Sequence, residues 1–178
     1  PVFEKENIVA LNKGGRNITL EPGNQIELSG DKLNNMHEAC AESQNYLFEL
    51  KQVTKKLNMN IVSAGFDPIS KLKEIPNNPK QRYKLMTQDM PLGGELSLDM
   101  MYRTCGTQLN IDFSSEEDFV KKFKIVNSLV PIAISLFANS SIVEKKNSNY
   151  LSYRSKVWQS TSSCLLYTSP SPRDLYQS

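Results

Sequence analysis

The chain has 178 residues, of which 39% are hydrophobic and 22% charged, a composition typical of one globular domain with a buried core. Its 21 basic and 19 acidic residues leave a net charge of +2, which gives no electrostatic argument for nucleic-acid binding. The longest apolar run, residues 129–138, is shorter than the roughly 20 residues that a membrane-spanning helix needs.

Cysteine and histidine usage argues against several kinds of active site. The three cysteines form no CxxC pair, and their odd number favours a reducing compartment, so we expect a cytoplasmic protein. The single histidine, His37, cannot build a Ser-His-Asp triad together with a separate metal site. Neither glycine-rich phosphate-binding motif occurs. A nucleotide would therefore have to be bound through metal ions and side chains.

The first 30 residues are predicted to be extended, with a hairpin turn at Gly14-Gly15 and a bend or bulge at Pro22-Gly23. Successive side chains of a strand point to opposite faces of the sheet. The segment 17–30 therefore has one aliphatic face and one polar face. The aliphatic face carries Ile18, Leu20, Ile26 and Leu28, and the polar face carries Glu21, Gln25 and Glu27.

An amphipathic helix is predicted from Asp31 to about Leu57, because apolar residues recur there at steps of three and four. Ser29 or Asp31 could cap its start. Cys40 lies on the apolar stripe and is expected in the core, whereas His37 lies off it and is expected in solvent.

Two further strands are predicted between residues 60 and 115. Residues 60–68 are typical of a short strand and residues 69–82 of a proline-containing loop, while residues 82–91 allow a short helix. Residues 100–115 form the second strongly predicted strand. On its polar face lie Gln108, Asn110 and Asp112, and on its apolar face lie Leu109, Ile111 and Phe113.

The last third of the chain predicts a helix, a strand and a tail. The helix covers about residues 115–138, with a capping box at Ser114 and Glu117 and a kink at Pro131. Residues 149–158 alternate again and predict a strand. Residues 160–178 contain CLLYTSPSPRD, which resembles translated adapter sequence, and we expect a non-native, disordered tail that excludes Cys164 from function. The inward face of the helix is expected to carry Phe119, Phe123, Val126, Leu129 and Val130.

Three strands with one polar face each, together with two amphipathic helices, predict an α+β domain. One polar face is most simply the solvent side of a half-buried sheet. Three such faces, which mix carboxylates, amides and the Arg154 guanidinium, favour a concave sheet that holds an anionic substrate through cations. Carboxylates can ligate Mg²⁺, and arginine can bind a carboxylate through two hydrogen bonds.

Five blocks of the sequence resemble consecutive blocks of glutamate–cysteine ligase in the form found in plants and alphaproteobacteria. In chain order they are ITLEPGNQIELSG, RYKLM, LSLDMMYRTCGTQLNIDFSSEEDFVKKF, PIAISLFANSS and YLSYRSKVW. Because their order and spacing match over about residues 1–159, we expect this range to be part of the catalytic domain. The resemblance implies a glutamine-synthetase-like fold, in which an antiparallel sheet forms a partial funnel with helices packed on its outer face.

The same resemblance implies an ATP-dependent reaction. ATP would phosphorylate the γ-carboxylate of L-glutamate, and the amine of L-cysteine would attack the γ-glutamyl phosphate, which is the first step of glutathione biosynthesis. Mg²⁺ would neutralise and align the phosphates, so the protein must supply carboxylates rather than a glycine-rich loop. The implied partners are these small molecules alone, with no nucleic acid and no membrane.

Matched position by position, five residues carry over a metal or substrate role. Glu27 matches a metal-binding glutamate, and Glu21 matches an acidic position near the same cations. Gln108 and Asn110 match the polar pair that faces metal and substrate, which makes Gln108 a metal candidate and Asn110 a substrate-binding candidate. Arg154 matches an arginine of the substrate pocket and is the catalytic candidate.

Other matches are open to structural explanations. Met101 and Trp158 match the pocket wall, although a core role for Met101 is nearly as well supported. Arg103 and Arg82 match family arginines, and Arg103 is a substrate-binding candidate, but ion pairs would explain both equally well. Cys105 is expected to be structural, because the chemistry needs no enzyme thiol.

The chain departs from the family pattern at three positions. Asn24 replaces a Gly, Gly106 replaces a Thr, and Thr87 stands where a basic residue is usual. The lost charge at position 87 is expected to weaken anion or nucleotide binding.

An upstream strand and a long C-terminal part of the family have no counterpart in this sequence, so we expect an internal fragment that is inactive alone. Two alternatives stay open: a related γ-glutamyl ligase with another amine acceptor, and a non-catalytic binding domain built on a sheet.

Overall fold

A computed structural model describes residues 1–162, which contain six strands and five helices. The mixture of helices with an antiparallel sheet confirms the α+β class. Cys164 and residues 163–178 of the predicted tail lie outside the described residues. The strands are β1 (Val2–Glu4), β2 (Asn7–Lys13), β3 (Arg16–Leu20), β4 (Ile26–Ser29), β5 (Ile142–Val143) and β6 (Lys146–Asn147). The helices are α1 (Met36–Lys56), α2 (Gln81–Gly93), α3 (Ser97–Arg103), α4 (Glu116–Leu136) and α5 (Tyr153–Gln159).

The chain divides into two compact units. The first comprises residues 1–63 and 76–84, and the second comprises residues 64–75 and those from 85 onward. Strands β1–β4 and helix α1 belong to the first unit. The second unit holds α3, α4, α5 and the β5–β6 hairpin, while α2 begins in the first unit and ends in the second.

The sheet of the first unit is an antiparallel meander in the order β1-β2-β3-β4. Its β2–β3 connection is the predicted Gly14-Gly15 turn, where Gly14 has a φ of 64°, a conformation that glycine adopts without steric cost. The β3–β4 connection is a short 3-10 turn over Pro22–Asn24, closed by a 2.8 Å bond from Glu21 N–H to the Gln25 carbonyl. Both predicted turns are therefore confirmed.

The register of β3 and β4 confirms the predicted faces. Ile18 pairs with Leu28 and Leu20 with Ile26, and because directly paired residues share a face, all four aliphatics lie on one side. Glu27 pairs with Thr19 on the other side.

Helix α1 begins five residues later than predicted. Asn35, rather than Ser29 or Asp31, is its N-cap: the Asn35 side chain accepts bonds from the N–H groups of His37 (3.0 Å) and Glu38 (3.1 Å). His37 is exposed as predicted. Cys40 is exposed too, so its predicted core position is wrong: the described residues bury no side chain of α1.

The predicted strands at residues 60–68 and 100–115 are wrong. Phe66 and Thr104 form a single isolated bridge, α3 occupies Ser97–Arg103, and residues 105–115 form no strand. An extended segment becomes a strand only when another strand takes up its backbone hydrogen bonds, and no described strand lies alongside this one. The apolar face predicted here is instead 53–61% exposed at Leu109, Ile111 and Phe113.

The alternating segment 149–158 ends in a helix, not a strand. Ser152 is the N-cap of α5, and its hydroxyl accepts a 3.4 Å bond from the Ser155 N–H. Helical spacing places Tyr153 and Val157 on one face, where Val157 is completely buried. In a segment this short, the spacing of the apolar residues fits a strand and a helix equally well. The serine cap and the packing of Val157 favour the helix.

Helix α4 is confirmed within two residues of its predicted bounds, although its cap is Ser115 rather than Ser114. The prediction that its apolar face points inward is wrong for the described chain. All five residues predicted to be buried are 43–49% exposed, because no described element packs closely on them. No helix within residues 1–162 has the length and apolarity needed to cross a membrane.

The buried part of the second unit lies where α3 and α5 approach the 64–67 segment. Its least exposed side chains are Phe66, Ser97 and Val157. The Phe66 and Tyr153 rings pack in a T-shaped arrangement with 5.0 Å between their centres, and Met101 and Tyr102 of α3 are also buried. This small core sets the positions of the two arginines described below.

Candidate functional site

In the first unit the Glu21 carboxylate is held by two partners. The Tyr83 hydroxyl donates to Glu21 Oε2 at 2.5 Å, and the Lys80 ammonium lies 3.8 Å from Oε1. Lys80 also donates to the Leu20 carbonyl at 2.6 Å and lies 5.0 Å from the centre of the Tyr83 ring. The charge of Glu21, a predicted metal ligand, is thus compensated within its own unit.

Tyr83 is 4% exposed, and burial raises the pKa of its phenol. The hydrogen bond to Glu21, the charge of Glu21 and, more weakly, the charge of Glu27 raise this pKa further, while Arg82 opposes them. The hydrogen bond thus links Glu21 to Tyr83, whereas Glu27 acts on this phenol only through its charge. Glu27 itself is exposed, and the Ser29 hydroxyl donates to Glu27 Oε1 at 3.5 Å.

Gln108 and Asn110 belong to the second unit and lie in the exposed segment that follows α3. The Gln108 side-chain N–H donates to Asn110 Oδ1 at 2.9 Å. The two predicted partners in metal and substrate binding therefore contact each other. Within residues 1–162 no three His, Cys, Asp or Glu side chains cluster as a metal site, so the proposed metal set stays a prediction.

Arg103 is a buried, ion-paired residue of α3. It is 4% exposed, its Nη1 donates to Asp99 at 2.8 Å, and Glu144 lies 3.6 Å from the same nitrogen. The guanidinium also lies over the Phe66 ring at 4.4 Å. An internal ion pair, one of the two explanations left open by the sequence, accounts for these contacts, and its substrate-binding role stays a prediction. Met101 is 6% exposed, which fits the core role.

Arg154 has a different environment. Its guanidinium lies over the Trp158 ring, with 5.5 Å between Cζ and the ring centre. The described part of the chain places no carboxylate within 4.0 Å of it, and its buried Nε has no hydrogen-bond partner there. Trp158 is 38% exposed. The catalytic candidate therefore carries a charge that the unit does not compensate, next to an accessible aromatic ring.

Two further ionisable groups of the second unit, Cys105 and Asp67, have shifted pKa values. Burial raises the pKa of the Cys105 thiol and Asp67 adds to this shift, whereas Arg154 opposes it. The pKa of Asp67 is lowered overall: burial raises it, but hydrogen bonds from Ser70 and Ile69 and the charge of Arg103 outweigh that effect. Asp67 thus stays ionised, and the surroundings disfavour a Cys105 thiolate.

Sequence reasoning missed several residues of these clusters. Lys80 and Tyr83 were not predicted to contact Glu21, because no local signal links residues that are 59 and 62 positions apart. Asp99 stands four residues before Arg103, a spacing that indicates an ion pair once a helix is assumed. The strand prediction hid that signal. Thr87, where a basic residue was expected, bonds the Tyr102 hydroxyl at 2.6 Å.

The two units offer groups of different chemistry. An exposed carboxylate on a sheet can ligate a hard cation, and an uncompensated guanidinium beside an aromatic ring can bind a carboxylate. Such groups are typical of enzymes that act on small anionic substrates. The family model described as Glutamate-cysteine ligase family 2 (GCS2) matches residues 3–169, and the chain belongs to this family.

Relatives of the chain carry the same family name. It is 47% identical over 160 residues to the chloroplastic glutamate–cysteine ligase of Nicotiana tabacum, and 46% identical to that of Solanum lycopersicum. Identity to ligase A of Oryza sativa subsp. japonica is 44%. Each match covers 90% of this chain but only 31–32% of the relative, so the chain spans about a third of the curated relatives it matches.

The names of these relatives correct one expectation. We predicted a cytoplasmic protein from the cysteine usage, and this is wrong because the relatives are chloroplastic enzymes. Stromal proteins can also keep unpaired cysteines, so a reducing compartment does not identify the cytosol.

Proposed function

We propose that this chain forms part of an ATP-dependent ligase that joins the γ-carboxylate of L-glutamate to the amine of L-cysteine through a γ-glutamyl phosphate. This would be the first step of glutathione synthesis, and by analogy with the chloroplastic relatives it would take place in a plastid. The proposal rests above all on Arg154, a family-matched arginine whose charge the described residues leave uncompensated.

Arg154 would bind a carboxylate of L-glutamate. A guanidinium and a carboxylate form two parallel hydrogen bonds, and this geometry fixes the orientation of an amino acid as well as its affinity. Trp158, at helical spacing from Arg154, would form the adjacent wall. Asn110 and Gln108 would contribute amide groups from the segment after α3.

Mg²⁺ would be held through Glu27, because its exposed carboxylate offers hard oxygen ligands. Glu21 is the weaker candidate, since Lys80 already compensates its charge. When bound, Mg²⁺ supplies charge neutralisation for the phosphates of ATP. We propose that the sheet of the first unit is one wall of a glutamine-synthetase-like funnel and that the remaining walls come from other parts of a longer protein.

A segment exchange tests this proposal. Residues 3–159 of this chain would replace the matched third of the Nicotiana tabacum ligase, and ADP release would be measured with ATP, Mg²⁺, L-glutamate and a panel of amines. We expect cysteine-dependent ADP release, which Arg154→Ala reduces mainly by raising the KM for L-glutamate, by about tenfold or more. Lys121→Ala, which changes an exposed lysine of α4, is the matched control and should leave the rate unchanged.

Two results would oppose the proposal. A chimaera that unfolds as cooperatively as the tobacco enzyme yet releases no ADP would contradict ligase function for this segment. A preference for another amine would instead favour the related γ-glutamyl ligase.

A further inference from the structure

The Arg154 side chain is bounded by two glycines whose backbone does not require glycine. Of the described glycines, those with positive φ are Gly14 and Gly23, so neither Gly65 nor Gly106 adopts the left-handed conformation that favours this residue. What distinguishes both positions is the space that a Cβ atom would fill.

A Cβ at position 106 would meet Arg154 atoms first. It would lie 3.0 Å from Nη2, 3.6 Å from Cζ and 3.8 Å from Nε. A Cβ at position 65 would lie 3.3 Å from Arg154 Cδ and 2.6 Å from Asn139 Oδ1. The guanidinium therefore rests against the backbone of Gly106, and the aliphatic part of the side chain passes Gly65.

Packing, rather than hydrogen bonding, sets the position of this guanidinium. The Arg154 backbone N–H is bonded to the Ser140 hydroxyl at 3.1 Å, which anchors the main chain. Beyond that point the described contacts of the side chain are the two glycines and the Trp158 ring. A group packed in this way moves when a neighbouring atom is added.

We propose that Gly106 is a positioning residue for Arg154: by lacking a Cβ, it lets the guanidinium lie against the backbone and beside the Trp158 ring. Gly106 stands where the resembling ligases have Thr, so we expect this placement of the guanidinium in the present chain and not in those relatives. The identity of the carboxylate as L-glutamate rests on the proposed function.

Trp158 is the single tryptophan of the chain, so its emission reports directly on the cation above its ring. The first experiment uses the 178-residue chain without any ligand and compares Gly106→Ala with Arg154→Ala and with the double variant. We expect Gly106→Ala to shift the emission maximum of Trp158. In the Arg154→Ala background the same substitution should cause no further shift, because the group it displaces is gone.

Gly14→Ala is the matched control. Gly14 lies in the first unit and has a φ of +64°, which strains any residue with a side chain. A Cβ added there would have no atom within 4 Å, so the alanine variant is strained but does not touch Arg154. It should lower the Tm and leave the Trp158 emission unchanged. An equal emission shift from Gly106→Ala in both arginine backgrounds, or no shift in either, would overturn the positioning role.

The second experiment links the position to binding in the tobacco chimaera. Displacing the guanidinium by a few tenths of an ångström should raise the KM for L-glutamate about threefold to tenfold, with the KM for ATP unchanged. A matching rise in both KM values would contradict a role through Arg154. If the chimaera proves inactive, the proposed function fails, whereas the emission cycle still decides the positioning role.

Discussion

The two units treat their functional candidates in opposite ways. In the first unit Glu21 is bonded to a buried phenol and lies beside an ammonium, so its charge is neutralised by residues of the same unit. In the second unit Arg154 packs on two glycines and a tryptophan, and among residues 1–162 no carboxylate compensates it. Two charged residues that match positions of the same family thus occupy different electrostatic environments, one with internal partners and one without.

This difference separates structural from functional charge. A buried group with internal partners has already exchanged water for protein contacts, and a ligand must compete with those contacts. A charge without a partner can still form a favourable ion pair with a ligand of opposite charge. Arg103 belongs with Glu21 in this respect. It is paired with Asp99, four residues earlier in the chain, and its guanidinium lies over the Phe66 ring. The predictions below test this division.

The largest expected effect is the loss of a compensated charge. Arg103→Ala should lower the free energy of unfolding by about 3–5 kcal/mol, because it leaves the largely buried Asp99 without its partner. Arg103→Lys should cost less, since an ammonium can still reach Asp99 but loses the flat contact with Phe66. Urea denaturation of the chain measures both variants. Equal losses would show that the charge is not what matters at this position.

A smaller effect is expected in the first unit. Tyr83→Phe removes the hydrogen bond to the ionised Glu21 and should cost about 1.5–3 kcal/mol of unfolding free energy. Tyr46→Phe, which changes a half-buried tyrosine of α1 with no described hydrogen bond, is the control and should cost less. If the two variants are equally stable, the Glu21–Tyr83 contact contributes nothing.

The same variant should change the response to alkaline pH. Burial and Glu21 raise the pKa of Tyr83 above its ordinary value of 10.0, so above that pH the unfolded chain loses a proton that the folded chain keeps. The stabilisation is therefore complete below about pH 10 and declines as the pH rises further. In Tyr83→Phe this part of the decline should be missing, which denaturation at about pH 9 and about pH 11 would reveal.

The smallest effect on stability is expected for the exposed carboxylate. Glu27→Gln should change the free energy of unfolding by less than about 0.5 kcal/mol, yet raise the Mg²⁺ concentration needed for half-maximal ADP release by the chimaera. Glu21→Gln is the comparison variant and should be more destabilising, because it weakens the contact with Lys80. An unchanged Mg²⁺ requirement in Glu27→Gln would argue against its role as a metal ligand.

The sheet of the first unit was predictable because its information is local. Gly14-Gly15 and Pro22-Gly23 fix tight turns between neighbouring segments, and antiparallel strands joined by tight turns pair with little choice of register. The position of Glu27 on the side of the sheet opposite the aliphatic residues follows from this register. Helix α4 was predictable for the same reason, since the cap and the acidic first turn lie within its own sequence.

The strands predicted in the second unit failed because alternation alone does not make a strand. Residues 105–115 alternate as clearly as β4, but within the described chain they have no neighbouring strand to bond. The apolar residues of 153–159 fit the spacing of a strand as well as that of a helix. The helix forms because it buries Val157 in the same core as Phe66. Strand formation depends on distant partners, whereas a helix forms its backbone hydrogen bonds within its own sequence.

The amino-acid sequence by itself determined the family of this protein, two turns of the sheet in its first unit and the residue types that could bind cations and carboxylates. The tertiary structure decided which of those charges are neutralised: Lys80 and Tyr83 reach Glu21 across 59 and 62 residues, and Asp99 and Glu144 enclose Arg103. Compensation depends on distances between side chains, and those distances exist only once the chain has folded.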